Sequence, residues 1–134
     1  MARSQDPAKQ SPITSLVTLK RRPEFLRVRG GARWAAPAFA LEARRQVGET
    51  GEARFGFTVS KQVGGAVERN RVKRRLKAAV RDVLREHARR DFDYVLIARR
   101  PALDAVYASL VAGLVNALER VHASRERTQR DQAG

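Results

Sequence analysis

Cysteine is absent from the 134-residue chain. That excludes a disulfide framework, a thiolate zinc site and a cysteine nucleophile, and it suits a reducing compartment, so the cytoplasm is the expected location. Histidine is nearly absent: His87 and His122 are far apart, and both are expected at helix ends as surface or capping residues rather than as a general base. Long hydrophobic runs are missing too. The longest, Ala105 to Leu118, is broken by Ser109 and Asn116, and the opening Met1-Ala2-Arg3-Ser4-Gln5-Asp6-Pro7 has no apolar stretch behind its charge, so neither a secretory signal nor a membrane span is expected. The Gly64-Gly65 loop lacks the Gly-Lys-Ser/Thr ending of a phosphate-binding loop. Asp91 and Asp93 could bind magnesium as a close carboxylate pair, but that spacing beside a strand start belongs more often to a turn, so no metal site and no catalytic residue is assigned to the protein.

Acidic residues are the other shortage, 14 against 28 Lys and Arg, for a net charge of +14. The excess is local. Residues 61–90 hold 11 basic and 3 acidic side chains, whereas residues 91–134 hold 6 of each. A basic stripe in one segment reads as a footprint for a polyanion, nucleic acid first. An anionic membrane surface would call for aromatic or leucine anchors on an exposed face, and the basic segment has no aromatic.

At 43% apolar residues, the length fits one domain with one core. Residues 1–17 and 123–134 read as flexible polar tails around a domain at 18–122. Pro23 at a helix start and Gly30-Gly31 at its stop predict a short first helix. Two strand pieces follow Arg33, a turn lies at Gly48 to Glu52, and Phe55, Phe57 and Val59 alternate as a clear strand. Val72, Leu76, Val80, Val83 and Leu84 predict a long amphipathic helix from about Ala66 to His87. Asp93 to Ala98 reads as a buried central strand, and Val106 to Val121 as a last helix. The order αβββαβα predicts an α+β domain.

On the long helix, Arg74, Lys77, Arg81 and Arg85 are expected opposite the apolar stripe, with Arg69 and Lys73 beside it, flanking a cleft if the helix packs on the sheet. Asn70 can donate and accept, and the helix N-terminus can offer N–H groups to a phosphate. The bland alternative is a solvated face pairing with Glu68, Asp82 and Glu86. Three acids among eleven bases leave most cations without a local partner, which favours nucleic acid.

Phe55-Gly56-Phe57-Thr58-Val59-Ser60-Lys61, then Val63-Gly64, then Ala66-Val67-Glu68-Arg69-Asn70-Arg71-Val72-Lys73-Arg74 resembles the signature of the bacterial ribonuclease P protein subunit. Leu19-Lys20-Arg21 through Phe25 and Val28, and Asp93 to Arg100, resemble that family's first helix and last strand, so the similarity runs over about residues 19–120. The resemblance implies a four-stranded sheet with three helices and a left-handed crossover. It also implies an endoribonuclease component: a catalytic RNA removes the 5′ leader of precursor tRNA with magnesium held mainly by RNA, and the protein binds that RNA and the single-stranded leader, with no obligatory protein partner. By position, Lys61, Arg69, Asn70, Arg71, Lys73 and Arg74 would contact RNA, with Lys77 and Arg81 extending the surface. Phe25, Arg29, Phe39, Thr58 and Ser60 would form the leader cleft, while Phe55 and Phe57, sharing a strand face, are expected in the core. Arg29 and Glu42 stand where the family commonly has aromatics. A ribosomal-type RNA-binding protein and a DNA-binding module remain alternatives.

Overall fold

The computed structural model describes residues 16–46 and 51–133, with side chains through Ala123. The expected N-terminal tail up to residue 15, and most of the turn expected at Gly48 to Glu52, lie outside the described residues. Among the described residues no helix is long and apolar enough to cross a membrane.

The chain order is β1 (Val17–Thr18), α1 (Arg22–Val28), β2 (Ala32–Ala35), β3 (Phe39–Arg45), β4 (Arg54–Thr58), α2 (Ala66–His87), β5 (Phe92–Ala98), a 3₁₀ turn (Arg100–Leu103) and α3 (Tyr107–Ala133). The sheet is five-stranded and mixed, in the order β1-β4-β5-β3-β2, which corrects the four strands expected. The extra strand is a parallel edge pairing of two residues, Val17 with Arg54 and Thr18 with Phe55, continued by a 2.9 Å hydrogen bond from Leu19 N–H to the Phe55 carbonyl. Two residues cannot display a period-two pattern, so nothing in their side chains announces them. The three helices are as expected, and the last continues in backbone to Ala133 through the stretch expected as a tail.

Pro23 starts α1, and Glu24 accepts hydrogen bonds from the N–H groups of Lys20 (2.8 Å) and Arg21 (2.9 Å). Those donors, Arg21 first, hold its carboxyl below the usual range. Gly30, at φ +84°, ends the helix in the left-handed region that only glycine enters freely.

Strand alternation gives the sheet two faces. Phe39, Leu41, Phe55, Tyr94 and Leu96 point to one face, where Val72, Leu76 and Val80 of α2 and Leu110, Leu114 and Leu118 of α3 complete the main core. Phe55 stacks on Tyr94 at 4.6 Å between ring centres. The opposite face is only partly covered: α1 packs there, burying Val28 with Leu19 and Val95, with Phe25 and Ile97 half-buried beside them. β5 is the strand whose two faces are both used, which is why its sequence is a continuous apolar run.

Candidate nucleic-acid interface

The part of the second face that α1 leaves uncovered is a cleft of about 550 Å³. α1 supplies Arg22, Phe25, Leu26 and Arg29 as one wall, and Lys73 of α2 stands on the other. The floor comes from Val95 and Ile97 of β5, Glu42 of β3, and Phe57 to Val59 at the end of β4. Its geometry depends on Gly56: a Cβ there would lie 2.4 Å from Phe25 Cε2, so the missing side chain is what seats that ring on the sheet.

Charge is distributed unequally around the cleft. Cross-strand register puts Arg33, Glu42, Val95 and Gly56 in one row and Arg44, Asp93 and Arg54 in the next. In that second row Arg54 grips Asp93 through Nε and Nη2, each at 2.8 Å, while Gln46 donates to Asp93 Oδ1 at 3.0 Å. The Asp93 carboxylate raises the Arg54 pKa in return. Asp91 is paired with Arg45. The two carboxylates spaced as a possible magnesium pair are thus committed to arginines, and that donor set does not fit a magnesium centre. Among the described residues no cluster of three or more acidic, His or Cys groups could hold a metal.

α2 places its cations as follows. Asn70, Arg71, Arg74, Arg81 and Arg85 are exposed, and so is Lys61 in the preceding turn. Arg69 is half-buried, and its Nε has no hydrogen-bond partner. Lys77 is half-buried rather than on the exposed outer face: its Nζ lies 5.9 Å from the centre of the Phe57 ring, one turn on from Lys73 and toward the end of β4. Arg75 is structural, donating to the carbonyls of Ala102 (3.1 Å), Leu103 (3.0 Å) and Ala105. The pairing of the alternative solvated-face reading is not formed. Glu68 accepts from Gly65 N–H at 2.9 Å and Asp82 from the Tyr107 hydroxyl at 2.5 Å, and among the described residues no α2 cation forms an ion pair.

Of the residues expected in the cleft, Phe25, Arg29 and Thr58 line it together. Phe39 does not; it is 1% exposed in the main core, its ring 3.9 Å from where a Gly113 Cβ would stand in α3. Ser60 is exposed in the turn, 3.3 Å from Gln62 N. Phe55 and Phe57 share the core face as expected, Phe55 fully buried and Phe57 half-buried against the same core at the strand end, where it also borders the cleft. Sequence reasoning passes over Arg22, Leu26, Val95 and Ile97. His122 is no surface residue: it is buried, with Nε2 at 2.7 Å from the Tyr94 hydroxyl and its ring edge-on to Phe92.

The family model described as Ribonuclease P matches residues 14–122. The ribonuclease P protein component of Paramagnetospirillum magneticum is 47% identical over 109 residues, covering 78% of this chain and 82% of that protein. The Brucella suis protein of the same name is 39% identical over 134 residues, covering 89% and 92%. Among solved structures, the Staphylococcus aureus RNase P protein superposes with a TM-score of 0.63 at 27% identity, over 78% of this chain and 94% of that one. The Thermotoga maritima RNase P protein, at 24% identity and TM-score 0.65 over 77% and 96%, shares the fold.

Proposed function

We propose, from the premise that this chain belongs to the ribonuclease P protein family, that its open sheet face holds the single-stranded 5′ leader of precursor tRNA while the basic surface of α2 grips the ribonuclease P RNA. The chain is the protein subunit of ribonuclease P, a component of tRNA processing. The division of labour is our reading: the RNA performs the magnesium-dependent hydrolysis in the cytoplasm, and the protein positions.

One observation carries this reading. The unpaired cations of α2 stand beside a cleft that carries the Phe25 ring on one wall and Lys73 on the other, over the apolar floor of Val95 and Ile97. Single strands are held by that combination, a basic track for phosphates and flat surfaces for bases, at about 1–3 kcal/mol per stacked base. A duplex reader would need a helix free on its groove-facing side and has no use for the floor formed by Val95 and Ile97.

The test is reconstitution with the cognate RNA at low magnesium, using precursors with long and absent leaders. The protein should improve cleavage of the leader-bearing precursor more than that of the leaderless one. An equal benefit for both would refute the cleft assignment, and cleavage by the polypeptide alone would refute the division of labour. For the α2 surface, Arg71→Ala should flatten the dependence of RNA affinity on salt, each lost phosphate contact lowering the logarithmic slope by about 0.7–0.9.

A further inference from the structure

α1 stands between two hollows of the sheet face. Arg22, Phe25, Leu26 and Arg29, spaced i, i+3, i+4 and i+7, line the cleft, while Arg27 and Val28 line a second cavity of about 420 Å³ behind the helix. The sheet row Arg44, Asp93 and Arg54 lines that second cavity too. Seven residues are too few for a helix to persist alone in water, and Val28 is the one buried residue among them. The orientation of α1 must therefore be imposed from outside.

Two polar ties from this row reach it. At the C-terminus the Leu26 carbonyl accepts from Arg29 N–H at 3.2 Å and the Val28 carbonyl from Gly31 N–H at 3.1 Å. The alternate carbonyls, of Arg27 and Arg29, accept from Nη1 of Arg44 at 3.3 and 3.1 Å. A cation there also meets the negative end of the helix dipole. At the N-terminus Arg54 Nη1 stands 3.7 Å from Glu24 Oε2, and Arg54 is itself locked on Asp93. Both ends of α1 are thus tied to one row of the sheet, from behind the cleft, and any roll of the helix would carry the Phe25 ring off its seat at Gly56.

We propose that Arg44 is a positioning residue for leader binding: by holding the C-terminal carbonyls of α1 it fixes the roll of that helix, and with it the wall that Phe25 and Arg29 present to the cleft. The inference rests on the leader occupying this cleft. Arg44 acts through the helix rather than on the RNA. Its loss leaves two carbonyls to water and lets α1 rock, which weakens leader binding equally before and during the reaction, so KM rises and kcat does not change.

The experiment compares wild-type protein, Arg44→Met and Arg44→Lys in the reconstituted holoenzyme, with leader-bearing and leaderless precursors. The main core lies on the other face of the sheet, so all three proteins should fold, which thermal melting checks. Arg44→Met should raise KM for the leader-bearing precursor about 5-fold, the lower end of one stacked base, with kcat unchanged. Cleavage of the leaderless precursor should match the wild type. Arg44→Lys, whose ammonium can donate to both carbonyls, should recover most of the loss. In a Phe25→Ala background Arg44→Met should add little, because the ring it positions is gone. The salt dependence of RNA affinity should keep its slope in Arg44→Met; a logarithmic slope lower by about 0.7–0.9 would mean that the guanidinium grips a phosphate, which overturns the inference. An unchanged KM for the leader-bearing precursor, or an equal loss for both precursors, also overturns it while leaving the cleft assignment standing. A wild type that gains nothing from a leader removes the cleft assignment and this inference with it.

Discussion

Gly56→Ala tests the seating of Phe25 more sharply than any change to the ring itself. The added Cβ would lie 2.4 Å from Phe25 Cε2, 2.8 Å from Cζ and 3.0 Å from Cδ2, so the ring must move. Gly56 has no positive φ, and alanine therefore meets no backbone obstacle. Two opposing effects set the size. Replacing a strand glycine by alanine stabilises by about 0.5–1 kcal/mol through the unfolded chain. Inserting a methyl into an occupied site destabilises by about 1–3 kcal/mol. The second effect wins, giving a net loss of about 1–2 kcal/mol, or roughly 4–7 °C in Tm for a domain of this size. In a Phe25→Ala background the obstacle is gone, and the same change should stabilise by about 0.5–1 kcal/mol. Denaturant titrations of the four proteins of this double-mutant cycle give the coupling directly. Displacing the ring should also reduce the leader's benefit to cleavage by up to about 5-fold, the lower end of one stacked base. If Gly56→Ala costs the same with and without the Phe25 ring, the ring does not lie where the cleft requires it.

Removing one partner of the Arg54–Asp93 pair leaves a carboxylate that is only 6% exposed, so Arg54→Ala should destabilise by about 3–5 kcal/mol in denaturant titrations, whereas combining Arg54→Met with Asp93→Leu should recover most of that loss. Both tyrosines resist ionisation: burial is the main cause for each, pushing Tyr107 up to about 12, with its hydrogen bond to Asp82 acting second, and raising Tyr94 as well. The neutral phenols are thus favoured by folding, so their contribution to stability is intact below about pH 10; that of Tyr107 is lost as pH rises through about 12 and that of Tyr94 higher still. Tyrosinate absorbance of the native protein should lag that of the urea-unfolded chain across this range, and Tyr107→Phe should remove the native signal that rises near its upper end.

Legibility in the sequence follows the length of each pattern. The five apolar positions from Val72 to Leu84 set the register of α2 well enough to recover Ala66–His87, because one face of a 22-residue helix leaves little room for a shift. β1 leaves no trace, since two residues joined by backbone hydrogen bonds need no particular side chains. Distance from the apolar stripe, taken alone, puts Lys77 on the wrong face. Its i, i+4 relation to Lys73 is the better guide, since both lie on the side facing the end of β4. His122 has a readable signal that its chemistry obscures. It continues the i, i+4 row of Leu114 and Leu118, and that row is the buried one.

The cleft is the hardest part to read because its floor looks like core. Val95, 4% exposed, and half-buried Ile97 belong to an apolar run that also contains Tyr94 and Leu96, and hydrophobic pattern alone cannot tell a face covered by two long helices from one covered by a seven-residue helix. The distinguishing information is the length of α1. Seven residues span only about 10 Å, enough to bury Val28 against Val95 and too little to roof the sheet as far as Thr58. An apolar strip is therefore left open beside Lys73 and Lys77. The same shortness explains why stability and binding can vary separately: Leu96 serves the closed face and Ile97 the open one, one residue apart on a single strand. Truncating Leu96 to Ala should cost about 2–5 kcal/mol of stability. Ile97→Thr, on the half-buried face, should cost less and show its main effect on the leader-bearing precursor, a contrast that would vanish if the second face were merely a thinner core.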